Sequence, residues 1–288
     1  MKRRAVAATL AVLCLVVAGC HSKSKAAPTA GDPTASIVVT RDLGDRSLLD
    51  ARVAPGQTVM AALQGIAKVS TRYGGRFVES IDGVSGSLRE TADWTYFVNG
   101  LEARVGATDV KLHTGDRVWW DFRPWADLPT VPAVVGSFPE PFVHGTGRST
   151  VEVRGSTALM ATLRGDGARV GSATSHWRVL VGSDAALRAD AAYRSATASP
   201  LAAGVIVSMR AGRVVGYVGH RTLVALPTAR AAIFAIRTGG GATLYVAGVD
   251  AAAARDAARS LALHPALVRD RYAVALDARG RVVTPGRH

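Results

Sequence analysis

Cysteine is almost absent from this chain: 288 residues hold two, Cys14 and Cys20, both close to the start. Whatever folds beyond residue 20 has no disulfide and no thiol for catalysis or metal binding. It must be stabilised by burial, which its length and its 48% hydrophobic residues allow. Histidine is sparse too. None of His21, His113, His144, His176, His220, His264 and His288 stands at a metal-ligand spacing such as H-x-H or H-E-x-x-H. A G-x-S-x-G elbow is missing, since GVSGS at 83–87 has the wrong spacing. The glycine loops GTGRST at 145–150 and GGG at 239–241 carry no Walker lysine. Acidic residues number 22 against 35 basic ones and are spread too thinly to suggest an acid–base pair. These absences favour binding over catalysis, although a triad assembled from distant residues leaves no trace in sequence.

Long apolar runs are also lacking. The one apolar stretch, residues 5–18, is short for a bilayer span and follows the basic start Met1-Lys2-Arg3-Arg4. It leads into Val17-Ala18-Gly19-Cys20, which resembles a bacterial lipobox. That resemblance implies a signal peptide over 1–19, a diacylated Cys20 as the mature N-terminus, and a lipid-anchored chain on the extracytoplasmic face of the cell membrane. Residues 20–35 then read as a tether, and about 15 flexible residues reach on the order of 20 Å. The formal net charge of +13 drops by three when Lys2, Arg3 and Arg4 are removed. A basic protein in that location suits anionic lipid or anionic wall polymer, and nucleic acid is a poor partner there. Abundant Ala, Gly, Val and Arg with few lysines also has a plain compositional source in high-GC coding.

The richest stretch is 93–125, which holds four of the five tryptophans. Trp94-Thr-Tyr-Phe-Val98 reads as a strand, Asn99-Gly100 as a tight turn, and 117–123 as a second strand. Alternation puts Val118, Trp120 and Phe122 on one face of that second strand and Trp119, Asp121 and Arg123 on the other. Val118 is its only aliphatic residue, so the first set is assigned to the core, together with Tyr96 and Val98 of the neighbouring strand. The remaining set, Trp119, Asp121, Arg123, Trp125, Phe97 and Asn99, is left as an outward platform for a planar or anionic ligand. A thin core filled by large rings would produce the same pattern.

Five motifs occur in order: VxRDxG at 39–44, TVMxAL at 58–63, TRYGGRFVxSIxG at 71–83, DWTYFVNG at 93–100 and GDRVWWDF at 115–122. Together they resemble an uncharacterised bacterial domain family that is similar to the C-terminal β-grasp domain of transcobalamin. The resemblance covers about residues 36–126 and implies a corrinoid, or another large planar molecule, as one candidate ligand. Local signals agree with a β-grasp. Strands are expected over 36–42 and 47–53, a helix over 58–67 with Thr58 as N-cap, and a strand over 76–81.

Pro124, Pro129 and Pro132 bracket a boundary, with a linker of few crossing contacts, open to limited proteolysis, expected over 127–132. Beyond it, VGSDAALRADAA at 181–192 matches AGVDAAAARDAA at 247–258, and GRVV recurs at 212–215 and 280–283. Each copy is read as helix, strand, helix and hairpin. The helices are expected over 157–164 and 228–237, the strands over 177–181 and 243–247, and the N-caps at Asp184 and Asp250. The expected fold is therefore α+β: an N-terminal β-grasp-like domain followed by a duplicated α/β domain over 132–288. The expected function is a non-catalytic, ligand-binding envelope lipoprotein, with its ligand at the aromatic face or in a cleft between the domains, associated with uptake and with an envelope or transporter partner. The alternative is an envelope module that binds protein or polymer and takes no small ligand. No particular cofactor follows from the residues.

Overall fold

The structure is a computed structural model that describes residues 34–147, 149–171 and 175–285. The expected signal peptide, Cys20 and nearly all of the expected tether lie outside the described residues. The fold is mixed α+β and mostly sheet. The first half runs β1 (Ala35–Arg41), β2 (Arg46–Val53), α1 (Val59–Gln64), β3 (Val69–Arg72), β4 (Phe77–Ile81), β5 (Val84–Ser85), β6 (Ala92–Val98), β7 (Leu101–Glu102) and β8 (Arg117–Pro124). The principal sheet has the order β2-β1-β8-β6-β7. In it β1 and β8 are parallel, with Val39 beside Trp120, and the other pairs are antiparallel. A small sheet, β3-β4-β5, stands apart from it.

Helix α1 starts where the sequence suggests. The Thr58 side chain accepts a hydrogen bond from the Ala61 N–H and so satisfies one of the free donors of the first turn. The helix ends early, at Gly65. Its Val59, Met60 and Leu63 pack on Ile37 and Val39 of β1, Tyr96 of β6, and Val118, Trp120 and Phe122 of β8. The face assigned to the core by alternation is the face that the helix covers. Tyr96 stacks on Trp120 at a centroid distance of 4.6 Å.

The second half runs β9 (Val151–Arg154), α2 (Thr157–Gly165), β10 (Trp177–Ser183), α3 (Asp184–Leu187), α4 (Ala191–Ala198), β11 (Val207–Arg210), β12 (Arg213–Gly219), β13 (Thr222–Ala225), β14 (Ala229–Thr238), β15 (Gly241–Gly248), α5 (Ala251–Leu263), a 3-10 turn (Pro265–Val268), β16 (Val274–Asp277) and β17 (Val282–Val283). A six-stranded sheet has the order β17-β16-β14-β15-β10-β9, and β11-β12-β13 form a separate meander. Helices α2 and α5 cover one face of the large sheet through Leu159, Leu163, Ala258 and Leu261. The opposite face, with Leu180, Phe234 and Tyr245, turns towards the meander and towards the first half.

Three expectations need correction here. The helix expected over 228–237 is instead strand β14, Ala229–Thr238. Six consecutive buried residues there are hemmed in by β15 and β16, and tertiary pairing overrides the helical preference of alanine. Asp184 is not an N-cap: Ser183 caps α3, and Asp184 is the first helical residue, its carboxylate accepting from the Tyr193 hydroxyl at 2.8 Å. Asp250 does cap α5, accepting from the Ala253 N–H. The third concerns the expected linker, which is not exposed throughout. Leu128 and Val131 are fully buried, Asp127 accepts from the Tyr217 hydroxyl at 2.7 Å, and Ala133 bridges to Leu101.

One apolar cluster joins both halves. It contains Val38, Phe97 and Trp119 of the first sheet, Leu128, Val131 and Val134 of the connection, and Tyr193, Phe234, Tyr245 and Tyr272 of the second half. Trp119 is therefore as deeply placed as Trp120. Replacing Trp119 by Ala should cost about 3–5 kcal/mol in denaturant unfolding, close to the cost for Trp120→Ala. A loss below about 0.5 kcal/mol, as at an ordinary surface site, would contradict the burial described.

Candidate functional site

The residues set aside for an outward platform are mostly inside. Trp119 and Asp121 are 0% exposed and Arg123 is 2% exposed; Phe97 and Asn99 are also buried. Trp125 alone stays partly open, at 39%. The alternation was right, but both faces of β8 are covered: α1 lies on one, and the second half of the chain on the other. Phe97, Trp119 and Tyr272 form a ring cluster with centroids 5.1–5.6 Å apart. The structure thus brings Phe97, Trp119, Asp121 and Arg123 together as a seam between the halves. It leaves Asn99 and Trp125 apart from them.

Hydrogen bonds run through this seam. The Trp119 indole N–H donates to Thr40 Oγ1 at 2.7 Å, and the Thr40 hydroxyl donates to Asp121 Oδ1 at 2.5 Å. The Gly44 N–H reaches the same oxygen at 3.2 Å, and the Tyr272 hydroxyl donates to Asp121 Oδ2 at 2.9 Å. Gly44 cannot carry a side chain here, because a Cβ would lie 1.9 Å from the Asp270 carbonyl oxygen. Burial pushes the Asp121 carboxyl up to about 6, against the opposing pull of Thr40, Tyr272, Gly44 and the Arg123 charge. Burial, with the adjacent Asp121 charge, holds the Tyr272 phenol well above its ordinary range. Arg123 donates to the Leu128 carbonyl and reaches Glu102 Oε1 at 3.4 Å, while Arg237 of β14 donates to the Glu102 carbonyl at 3.1 Å. Asn99 serves the turn instead. With φ of +52°, it donates to Asp116 Oδ1 at 2.8 Å and accepts from the Arg117 N–H at 2.8 Å, next to Gly100 at φ +75°.

Beside this closed seam an open cleft of about 300 Å³ separates the halves. Its walls include Ser36 and Arg117 from the first half, residues 136–140 from the connection, and Pro265, Ala266 and Arg269 from the second half. Arg117 is pinned by Asp270, Nη2 to Oδ1 at 2.5 Å. Arg269 is exposed and makes no ion pair among the described residues. Glu140 is buried and accepts from the backbone N–H groups of His144 and Gly145 at 2.9 and 3.3 Å, and its other oxygen meets His144 Nδ1. The imidazole lies over Gly115, whose added Cβ would fall 2.5 Å from the ring. Ser137 Oγ is buried in the wall without a hydrogen-bond partner. Guanidinium groups at the edge of an open cleft can receive a carboxylate or phosphate oxygen. Among the described residues, no group of three or more His, Cys, Asp or Glu is arranged to hold a metal ion. Sequence reading could name a cleft between the domains but not its residues, because they come from four separated segments and only Gly115 and Arg117 fall within one of the motifs.

The raised Asp121 value makes a pH prediction. The folded carboxyl keeps its proton up to about pH 6, whereas the unfolded chain loses it near 3.8. The resulting stabilisation is complete below the unfolded value and disappears as pH rises through the folded one. Wild-type protein should therefore melt at a higher temperature at pH 5 than at pH 7, by an effect on the order of 1 kcal/mol. In Asp121→Asn, which keeps an acceptor oxygen for Thr40 and Gly44, most of that difference should vanish. An unchanged pH slope in the variant would show that Asp121 is ionised in the fold throughout.

Comparison with known proteins adds little beyond the first half. A family model described as a domain of unknown function, DUF4430, matches residues 56–123, under a quarter of the chain. No curated protein matches. A crystal structure from Ruminococcus gnavus ATCC 29149, provisionally described as a metal binding protein, is similar over 32% of this chain and 98% of its own, at 11% identity and a TM-score of 0.28. From α1 to β8, where the aromatic strands lie, this chain is thus similar to a domain family of unknown function.

Proposed function

We propose that this chain is an extracytoplasmic lipoprotein, anchored through Cys20, that binds a small anionic ligand in the cleft between its halves and catalyses no reaction. The observation that carries the reading is the cleft itself: about 300 Å³, flanked by Arg117 and Arg269. That volume falls at the lower end of ordinary small-molecule sites. A corrinoid, suggested by the resemblance to transcobalamin, wants a broad open face, and the rings of β8 are enclosed. A compact carboxylate or phosphate ester is the better candidate. An uptake role for such a ligand, with a transporter as partner, belongs to the same proposal.

Two finer readings of architecture support this origin. One helix across a mixed sheet, with β1 and β8 parallel, favours a β-grasp-like first domain over 36–126. Strands β10 and β15 each lead into Gly-x-Asp and a helix, and they lie side by side in parallel, which favours duplication in the second half. The two copies differ in what precedes them, α2 in one and β14 in the other.

Two experiments test the proposal. Protein purified from its own envelope should carry a non-covalent adduct of one mass in native mass spectrometry. Arg269→Ala should lose that adduct while its melting temperature stays within the range of a surface change. An adduct that survives the substitution would remove the cleft as the site. Separately, wild-type protein should enter the detergent phase and Cys20→Ser should stay in the aqueous phase, because stable anchoring takes two or more acyl chains. Equal partitioning would overturn the anchor.

A further inference from the structure

Three charged side chains line the cleft, and they are not equally free to meet a ligand. The Arg117 guanidinium is held by the Asp270 carboxylate, with both side chains largely buried. The Glu140 carboxylate is buried, its oxygens taken by His144 Nδ1 and by the backbone N–H groups of His144 and Gly145. Arg269 is exposed and, among the described residues, has no ion pair to answer its charge. The charge of the ligand is limited accordingly. A phosphate monoester brings close to two charges near neutral pH. One free guanidinium answers only one of them, and the other would stand near Glu140, where like charges repel. A carboxylate brings a single charge and accepts two parallel N–H groups from one guanidinium.

Much of the remaining wall is apolar. Phe138 and Pro139 come from the connection, and Pro265 and Ala266 from the turn that follows α5. Proline has no N–H, so this side offers few donors to a sugar or a polyol. Arg269 adjoins it directly. Its N–H donates to the Ala266 carbonyl at 3.1 Å, and in a 3-10 turn positions three apart lie one above the other. The cationic anchor and the apolar wall therefore belong to one short segment. At about 30 Å³ for each displaced water, the 300 Å³ of the cleft holds roughly ten non-hydrogen atoms. We infer that the ligand is a monocarboxylate with a compact apolar body, an aromatic or branched aliphatic acid. Its carboxylate sits on Arg269 and its body against Phe138, Pro139, Pro265 and Ala266. This assignment rests on the cleft being the binding site.

Isothermal titration calorimetry on the full chain with Cys20→Ser tests it with benzoate, phenyl phosphate, benzamide and acetate. Against benzoate, these probes add a second charge, remove the charge and remove the body. Benzoate should bind about tenfold or more tightly than each of the others, because a charge-assisted pair and a buried ring are each worth about a decade. Arg269→Ala should keep its melting temperature, weaken benzoate about tenfold and remove the preference of benzoate over benzamide. Phenyl phosphate or acetate binding as tightly as benzoate, and lost in Arg269→Ala, would overturn the inference while keeping the cleft as the site. Benzoate binding that survives Arg269→Ala would overturn both. Binding by none of the probes would overturn the inference alone, since the native adduct tests the cleft separately.

Discussion

A carboxylate buried where two sheets meet governs this molecule. Asp121 sits at full depth, with Thr40 and Gly44 of the first half on one oxygen and Tyr272 of the second half on the other. Moving such a group out of water costs several kcal/mol, and hydrogen bonds offset the cost only when all of them form together. Parting the halves would strip Asp121 of Tyr272 and expose Trp119 and Phe97, so the penalty falls on separation. The same contacts set the cleft, because its walls come from both halves: Arg117 leads into β8, and Arg269 immediately precedes the Asp270-Arg271-Tyr272 segment.

How much of this could be read from the residues depends on the distance over which each signal acts. The period of two in β8 assigned Val118, Trp120 and Phe122 to one core, and α1 covers them. Thr58 and Asp250 announced their helices because capping is decided within three residues. Trp119 could not be placed the same way. Alternation says that it opposes Trp120, but what covers it is Tyr272, more than 150 residues later. The alanine-rich β14 was misread for a related reason. A strand buried on both faces shows no alternation, and alanine then looks helical.

The candidate site was the least legible part. The ringed platform had a local signal and proved to be internal, while the cleft has no local signal and is open. Arg117 belongs to a motif that says nothing of a cleft, Ser137 and Arg269 belong to none, and only the return of 265–272 against 115–117 and 136–140 sets them around one space.

The claim that everything else needs is that the two halves are one cooperative unit held by the Asp121 seam. Differential scanning calorimetry of the chain from residue 34 onward tests it most directly. The account predicts a single transition whose calorimetric and van't Hoff enthalpies agree. Two separate transitions, one for each half, would contradict it.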